Sequence, residues 1–120
     1  MKIAVSVQGT TLDDPVDERF GRAARFIIYD LADESCEVLD NKQVYNAPQG
    51  AGIQSAQNVI NAGAEAVITG HVGPKAFKVL KATDVAVYLV RDFTVREAIT
   101  AFRAGELEKA ETNDVEDHWV

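Results

Sequence analysis

Cysteine is nearly absent from this chain, which has Cys36 as its single residue of that type among 120. An internal disulfide is therefore excluded, and so is a zinc or iron–sulfur site held by four cysteines of one chain. Long apolar runs are also missing, since no stretch reaches the roughly 18 residues that a membrane span needs. No signal-peptide pattern precedes the strand-like segment after Met1, so we expect a cytoplasmic protein without a membrane partner.

Positive charge is scarce as well: 12 Lys and Arg stand against 19 Asp and Glu, for a net charge of −7. An acidic chain repels phosphate backbones, so we expect no nucleic-acid partner. Much of the acidic excess lies after Gly105, where apolar side chains are few. We therefore predict one domain over residues 1–108, which suits a chain of this length, and an acidic, mobile tail over residues 109–120.

The hydrophobic pattern changes halfway along the chain. The first half predicts three short strands, joined by polar turns that favour antiparallel pairing. The second half alternates helices with buried strands, which requires parallel strands and right-handed crossovers. The clearest helix start is the capping box formed by Thr94 and Glu97. The predicted strands are 2–7, 26–30, 36–41, 66–69 and 85–90, and the helices begin near Gly52, Pro74 and Thr94.

This element order, βββαβαβα, predicts an α/β fold with one mixed five-stranded sheet in the order 3-2-1-4-5 and helices on its faces. The first and fourth strands then lie side by side, and a crevice opens beyond their carboxyl ends. The topology is that of ribonuclease H, whose two-metal chemistry needs carboxylates on the central strands. Neither Lys2–Val7 nor Ala66–Thr69 contains one, so we reject a nuclease.

The loop between the fourth strand and the next helix combines several features of a binding site. Gly70 and Gly73 let the backbone approach a ligand closely, and Pro74 begins a helix whose free N–H groups attract anions. His71 can ligate a metal or move a proton. The alternative is a tight strand-to-helix turn with an exposed histidine.

Three arginines spaced by three residues, Arg19, Arg22 and Arg25, are a second candidate feature. They could form a cationic rim for an anionic ligand. Spacing alone favours another interpretation, surface pairing with the neighbouring acids Asp13, Asp14, Asp17 and Glu18. Two common enzyme motifs are missing from the chain, the phosphate-binding loop of nucleotide triphosphatases and the Gly-x-Ser-x-Gly turn of hydrolases.

Four segments occur together in an order that is specific even though each is short: 1–5, 20–26, 70–76 and 94–107. These segments make roughly residues 1–108 resemble the dinitrogenase iron–molybdenum cofactor biosynthesis family. That family includes NifX-like carriers and the C-terminal domain of NifB-like proteins. The resemblance implies a ribonuclease H-like fold without the catalytic acids. It also implies that the protein binds and passes on a preassembled iron–sulfur or iron–molybdenum cluster.

The resemblance places the cluster loop at Glu18-Arg19-Phe20-Gly21, where cluster-carrying members typically have histidine in place of Arg19. Arginine cannot ligate iron, because it stays protonated and has no lone pair to donate. A cluster brings its own sulfides, however, so one or two ligands and a cationic rim would suffice. The candidate ligands are His71 and Cys36, and the candidate rim consists of Arg19, Phe20, Gly21, Arg22, Gly70, Gly73 and Lys75.

The leading hypothesis is a non-enzymatic carrier or accessory protein with an iron–sulfur or iron–molybdenum type cluster as its cargo. Cluster-donor or cluster-acceptor proteins would be its partners, and the chain would be a monomer or a weak homo-oligomer. A module for small ligands or protein partners that has lost the metal role is the alternative, which the Arg19 replacement favours. An enzyme with an unnamed substrate ranks third.

Overall fold

The fold was obtained as a computed structural model, which describes residues 1–42 and 50–111. Within this part of the chain the element order is the one predicted from sequence. One further element, a short 3₁₀ helix, lies in the segment expected to be a loop. The elements are β1 (Lys2–Val7), the 3₁₀ helix (Phe20–Arg22), β2 (Arg25–Asp30), β3 (Cys36–Asp40), α1 (Ala51–Asn61), β4 (Ala66–Thr69), α2 (Pro74–Ala82), β5 (Ala86–Leu89) and α3 (Val95–Arg103).

The five strands form one mixed sheet in the order β3-β2-β1-β4-β5, which confirms the prediction. β1 pairs antiparallel with β2, so that Lys2 lies opposite Asp30 and Val7 opposite Arg25. On its other side β1 pairs parallel with β4, where Val5 lies opposite Ile68. The carboxyl ends of β1 and β4 therefore meet at one end of the sheet.

Helices cover both faces of the sheet, and the alternation along β1 decides which side chains meet them. Ala4 belongs to the core beneath α1 and α2, together with buried residues such as Phe26 and Leu80. Ile3, Val5 and Val7 belong to a second core beneath α3. Successive side chains of a strand point to opposite faces, which is why one strand serves two cores. No described helix is long and apolar enough to cross a membrane.

The segment between β1 and β2 is bound to the domain rather than loose. Gln8 N donates to Pro15 O at 3.0 Å, and Val16 N donates to Phe93 O at 2.9 Å. The Asp14 carboxylate accepts hydrogen bonds from the backbone of Thr10 and Thr11. This segment is polar and rich in turn residues, so no periodic pattern revealed these contacts.

The described chain ends along the outer edge of β5. Ala110 is buried, and its N–H donates to Val87 O at 2.7 Å. Packing against the domain thus continues two residues past the boundary predicted at residue 108. The rest of the predicted tail, with His118 and Trp119, lies outside the described residues.

The capping box at the start of α3 carries the first testable prediction. Thr94 Oγ1 accepts from Glu97 N at 3.1 Å, and Glu97 Oε1 accepts from Thr94 N at 2.9 Å. Replacing Thr94 with Ala leaves one of these donors without its partner, so we expect the free energy of unfolding to fall by about 1 kcal/mol. Urea denaturation measures the change. Thr100→Ala, at an exposed position of the same helix, is the control, and an equal loss in both variants would contradict the prediction.

Candidate functional site

The candidate site lies at the carboxyl ends of β1 and β4, where two loops of the chain meet. The first, the arginine loop (residues 17–22), belongs to the segment between β1 and β2 and ends with the 3₁₀ helix. The second, the histidine loop (residues 70–73), connects β4 to α2. Because β1 and β4 are parallel neighbours, both loops leave from the same end of the sheet.

Two buried hydroxyls fasten the arginine loop to the sheet. Ser6 Oγ donates to Asp17 O at 2.5 Å and lies 2.8 Å from Thr69 Oγ1. Thr69 Oγ1 also lies within hydrogen-bond distance of Asp17 O, at 3.3 Å. Ser6 and Thr69 are fully buried at the ends of adjacent strands, so this bonding holds the loop at the crevice. Neither residue was predicted to belong to the site, and their only signal in the sequence is a polar side chain at the end of a largely apolar strand.

The histidine loop packs directly against the arginine loop. At Gly70, a Cβ atom would lie 2.6 Å from Glu18 Cα, which leaves no room for any side chain. One residue further on, Phe20 N donates to His71 O at 3.1 Å. The predicted close approach at Gly70 is thus an approach to protein backbone.

Phe20, one of the residues assigned to the candidate rim, anchors the arginine loop in the core. It is fully buried, and its ring centroid lies 5.4 Å from that of Phe26. Gly21 follows it against the start of α1, where a Cβ atom on Gly21 would lie 3.1 Å from Gly52 Cα. The first turn of α1 therefore borders the same site as the two loops.

His71 is half-buried, and its Nδ1 atom is buried from solvent. Burial lowers the pKa of the imidazole below its ordinary value, because desolvation disfavours the charged form. The neutral ring, which has a lone pair for a metal, is therefore favoured at neutral pH. His71 is thus partly buried in the turn rather than fully exposed.

Helix α2 begins at this crevice without a side-chain cap. Gly73 is its N-cap and Pro74 its first residue, as predicted, and no side chain of the cap accepts from the first turn. A Cβ atom placed on Gly73 would meet nothing within 4 Å, so the space beside this helix start is open. Lys75 is exposed in the first turn. Free N–H groups and a lysine together favour a negatively charged ligand.

The three arginines of the predicted rim have different surroundings. Arg19 is 72% exposed in its side chain, and its Nε lies 3.5 Å from Asp17 Oδ1. Arg25 Nε lies 3.8 Å from Asp40 Oδ1, at the crevice end of β2. Arg22 is exposed, and no carboxylate of the described residues pairs with it. Of the acids expected to pair with these arginines, Asp17 pairs with Arg19, whereas Asp13 pairs with Arg96 instead.

The structure does not bring Cys36 to the crevice. Cys36 is exposed at the start of the edge strand β3, opposite Tyr29 on β2. Tyr29 lies four residues along β2 from Arg25, which is at the crevice end of the strand. At the usual rise per residue of a strand, this separation is about 13 Å. Cys36 and His71 therefore do not lie together as a pair of ligands. In the described ranges, no three His, Cys, Asp or Glu side chains are grouped to hold a metal ion.

The contact between Gly70 and Glu18 carries a prediction about the junction of the two loops. Gly70→Ala forces a Cβ atom against the Glu18 backbone, so we expect the free energy of unfolding to fall by about 1–3 kcal/mol. Gly73→Ala is the matched control, because its Cβ atom enters open space, and it should change stability by less than about 1 kcal/mol. Urea denaturation compares them, and equal stability of the two variants would contradict the proposed tight junction.

Comparison with solved structures finds the same architecture in several proteins. The apo form of the orange protein from Desulfovibrio gigas matches with a TM-score of 0.85 and 42% identity, over 91% of this chain and 92% of that one. A NifB-like protein from Thermotoga matches with a TM-score of 0.77 and 36% identity, over 90% and 91% of the two chains.

Sequence comparison agrees with the structural one. An uncharacterized protein from Methanocaldococcus jannaschii is 32% identical over 114 residues, which are 92% of each chain. The profile of the family described as "Dinitrogenase iron-molybdenum cofactor" matches residues 1–105, which include the whole sheet, both loops and α3. The chain therefore belongs to the dinitrogenase iron–molybdenum cofactor family.

Proposed function

We propose that this protein is a non-enzymatic carrier or accessory protein that binds an anionic iron–sulfur or iron–molybdenum type cluster in the crevice beside β1 and β4. The observation that carries the proposal is the junction of the two loops, where Phe20 N donates to His71 O at 3.1 Å. This backbone contact joins the loop that carries His71, whose imidazole is the candidate metal ligand, to the arginine loop.

The charges at the crevice suit an anionic cargo. Arg19, Arg22 and Lys75 are exposed on the arginine loop and the first turn of α2, which border it, although the chain as a whole is acidic. The uncapped start of α2 adds free N–H donors. Such groups hold an anion by electrostatic attraction and hydrogen bonds, which do not depend on cysteine ligands.

His71 would supply the metal contact. Its lowered pKa keeps the ring neutral at physiological pH, and a neutral ring can donate its lone pair to iron or molybdenum. A preassembled cluster contributes its own sulfides, so a single imidazole is an adequate attachment point. Few attachment points also make the transfer to an acceptor protein easier, which a carrier requires.

The relatives support a cluster-handling role. The family is described by the iron–molybdenum cofactor of dinitrogenase, and the Thermotoga relative is NifB-like. The orange protein was solved in an apo form, a term for a protein without its ligand. We infer that the partners of this chain are proteins that supply or receive a cluster in the cytoplasm.

A second function is favoured by one observation, the pairing of Arg19 with Asp17 at the place where cluster-carrying members typically have histidine. An arginine held in this way can bind a carboxylate or phosphate ligand without any metal. The alternative is therefore a module for small anionic ligands or protein partners.

The role of His71 is tested with an isolated iron–molybdenum cluster under anaerobic conditions. His71→Ala should bind the cluster at least about tenfold more weakly than the unchanged protein, because it loses the metal–nitrogen bond. Its circular dichroism spectrum should not change. His118→Ala, which removes the other histidine of the chain, is the control. Equal cluster affinity in the His71 variant would contradict the ligand assignment.

Arg19→His tests whether ligation or charge dominates at the arginine loop. The substitution offers an imidazole at the family's ligand position, but it removes a positive charge that attracts an anion. We expect the affinity for the isolated cluster to rise, because a metal–nitrogen bond outweighs one exposed charge. The titration is repeated between about pH 7 and 9, because Asp17 favours the protonated imidazole and only the neutral ring can ligate a metal.

Arg19→Gln is the control for this variant, because it removes the charge without adding a ligand. It should bind more weakly than the unchanged protein. If Arg19→His binds as weakly as Arg19→Gln, the loop acts only as an electrostatic rim. Absence of binding by every variant and by the unchanged protein would favour the module for small anionic ligands.

A further inference from the structure

Asp17 is bound both to the sheet and to the arginine loop. Its N–H donates to Ser6 O at 2.8 Å, and its carbonyl oxygen accepts from Ser6 Oγ at 2.5 Å. Its carboxylate Oδ1 accepts from Arg19 N at 3.0 Å and lies 3.5 Å from Arg19 Nε. The backbone of Asp17 is thus fixed to the sheet, while its side chain is fixed to the loop.

We propose that Asp17 is the positioning residue of this site, and that its negative charge also limits how tightly the site holds an anion. The carboxylate orders the arginine loop and holds the guanidinium of Arg19 at the crevice. Its charge opposes an anionic ligand and so favours release. This inference rests on the proposed function, since it concerns the affinity of the same site for its cargo.

The positioning follows from the difference in burial between the two side chains. The Asp17 side chain is 9% exposed, whereas that of Arg19 is 72% exposed. The Asp17 side chain is buried and its backbone is hydrogen-bonded to β1, so Asp17 stays in place when the exposed side chain of Arg19 moves. Arg19 is therefore restrained by Asp17, and its contact uses only the Nε of the five N–H donors of a guanidinium. The others stay available for a ligand.

The electrostatic effect of Asp17 follows from the same burial. Exposed charges are screened by water and salt, but a buried carboxylate is screened much less. An anion at the crevice therefore experiences Asp17 together with the cations of the rim. A carrier must release what it binds, and a fixed negative charge beneath the rim weakens binding without removing the hydrogen-bond donors.

Two substitutions at Asp17 separate these roles because their expected effects have opposite signs. Asp17→Asn keeps an oxygen that accepts from Arg19 N but removes the negative charge, so the cluster should bind more tightly. Asp17→Ala removes the acceptor as well as the charge, so the loop loses its position and the cluster should bind more weakly. A purely structural role predicts no gain in affinity from either substitution.

Asp33 offers a matched control for the Asn substitution. Its Oδ1 accepts from Ser35 N at 2.9 Å, which is the same contact with the residue two positions later that Asp17 makes with Arg19. Asp33 is exposed in the turn between β2 and β3, at the end of the sheet opposite the crevice. Asp33→Asn therefore changes the net charge of the protein equally and leaves the site unchanged.

The experiment is an anaerobic titration of the four proteins with the isolated iron–molybdenum cluster, at low and at high salt. We expect Asp17→Asn to bind roughly three- to thirtyfold more tightly than the unchanged protein at low salt. Asp17→Ala should bind more weakly, and Asp33→Asn should match the unchanged protein. Circular dichroism checks the fold, and if Asp17→Ala does not fold, the two Asn variants decide.

The outcomes distinguish this inference from the proposed function. If the unchanged protein binds the cluster and Asp17→Asn binds no more tightly than Asp33→Asn, the inference is overturned and the proposed function stands. Binding by Asp17→Asn alone supports the inference and contradicts the carrier function of the unchanged protein. If no variant binds the cluster, both proposals are overturned.

Discussion

The mixed pairing of β1 is the constraint on which the other features of this protein depend. β1 is antiparallel to β2 on one side and parallel to β4 on the other. The antiparallel pair needs only a short connection, while the parallel pair needs a helical crossover. The two halves of the chain therefore meet at β1, and the loops that follow β1 and β4 emerge at the same end of the sheet. Both halves of the candidate site come from that arrangement.

Hydroxyl side chains lie at the carboxyl ends of the central strands β1 and β4, where a two-metal nuclease of this topology would need carboxylates. Ser6 and Thr69 are fully buried and bind the carbonyl oxygen of Asp17. A hydroxyl can satisfy a buried carbonyl without introducing a charge, so it stabilises a protein loop where a carboxylate would attract a cation. These strand ends therefore support the arginine loop of the candidate site.

The charges of the crevice differ from those of the whole chain. The protein is acidic, yet Arg19, Arg22 and Lys75 are exposed on the elements that border the crevice, and the α2 start has no acidic residue in its first turn. Acids lie here too: Asp17 is buried beneath Arg19, and Glu18 of the same loop accepts a hydrogen bond from Asp92 N. In the proposed site, rim cations attract an anion and the buried carboxylate limits the attraction, a balance that suits a ligand that must be both bound and released.

Local sequence patterns determined the elements and their order. Alternating apolar residues in 2–7, the capping box of Thr94 and Glu97, and Pro74 before an apolar helical face act over a few residues, so no tertiary information was needed to interpret them. The strand order 3-2-1-4-5 followed from connection lengths and the handedness of crossovers. The predicted site loops could also be placed at one end of the sheet for the same reason.

Only the tertiary structure decided which residues of those loops act together. Gly70 contacts the backbone of Glu18, and the hydroxyls of Ser6 and Thr69 hold Asp17, although more than 50 residues separate the β4 side from the arginine loop. Cys36 lies at the opposite end of the sheet, because the register of β2 and β3 carries it away from the crevice. Such contacts depend on sheet register and burial. Register and burial result from packing among residues that are distant along the chain, so local sequence patterns do not reveal them.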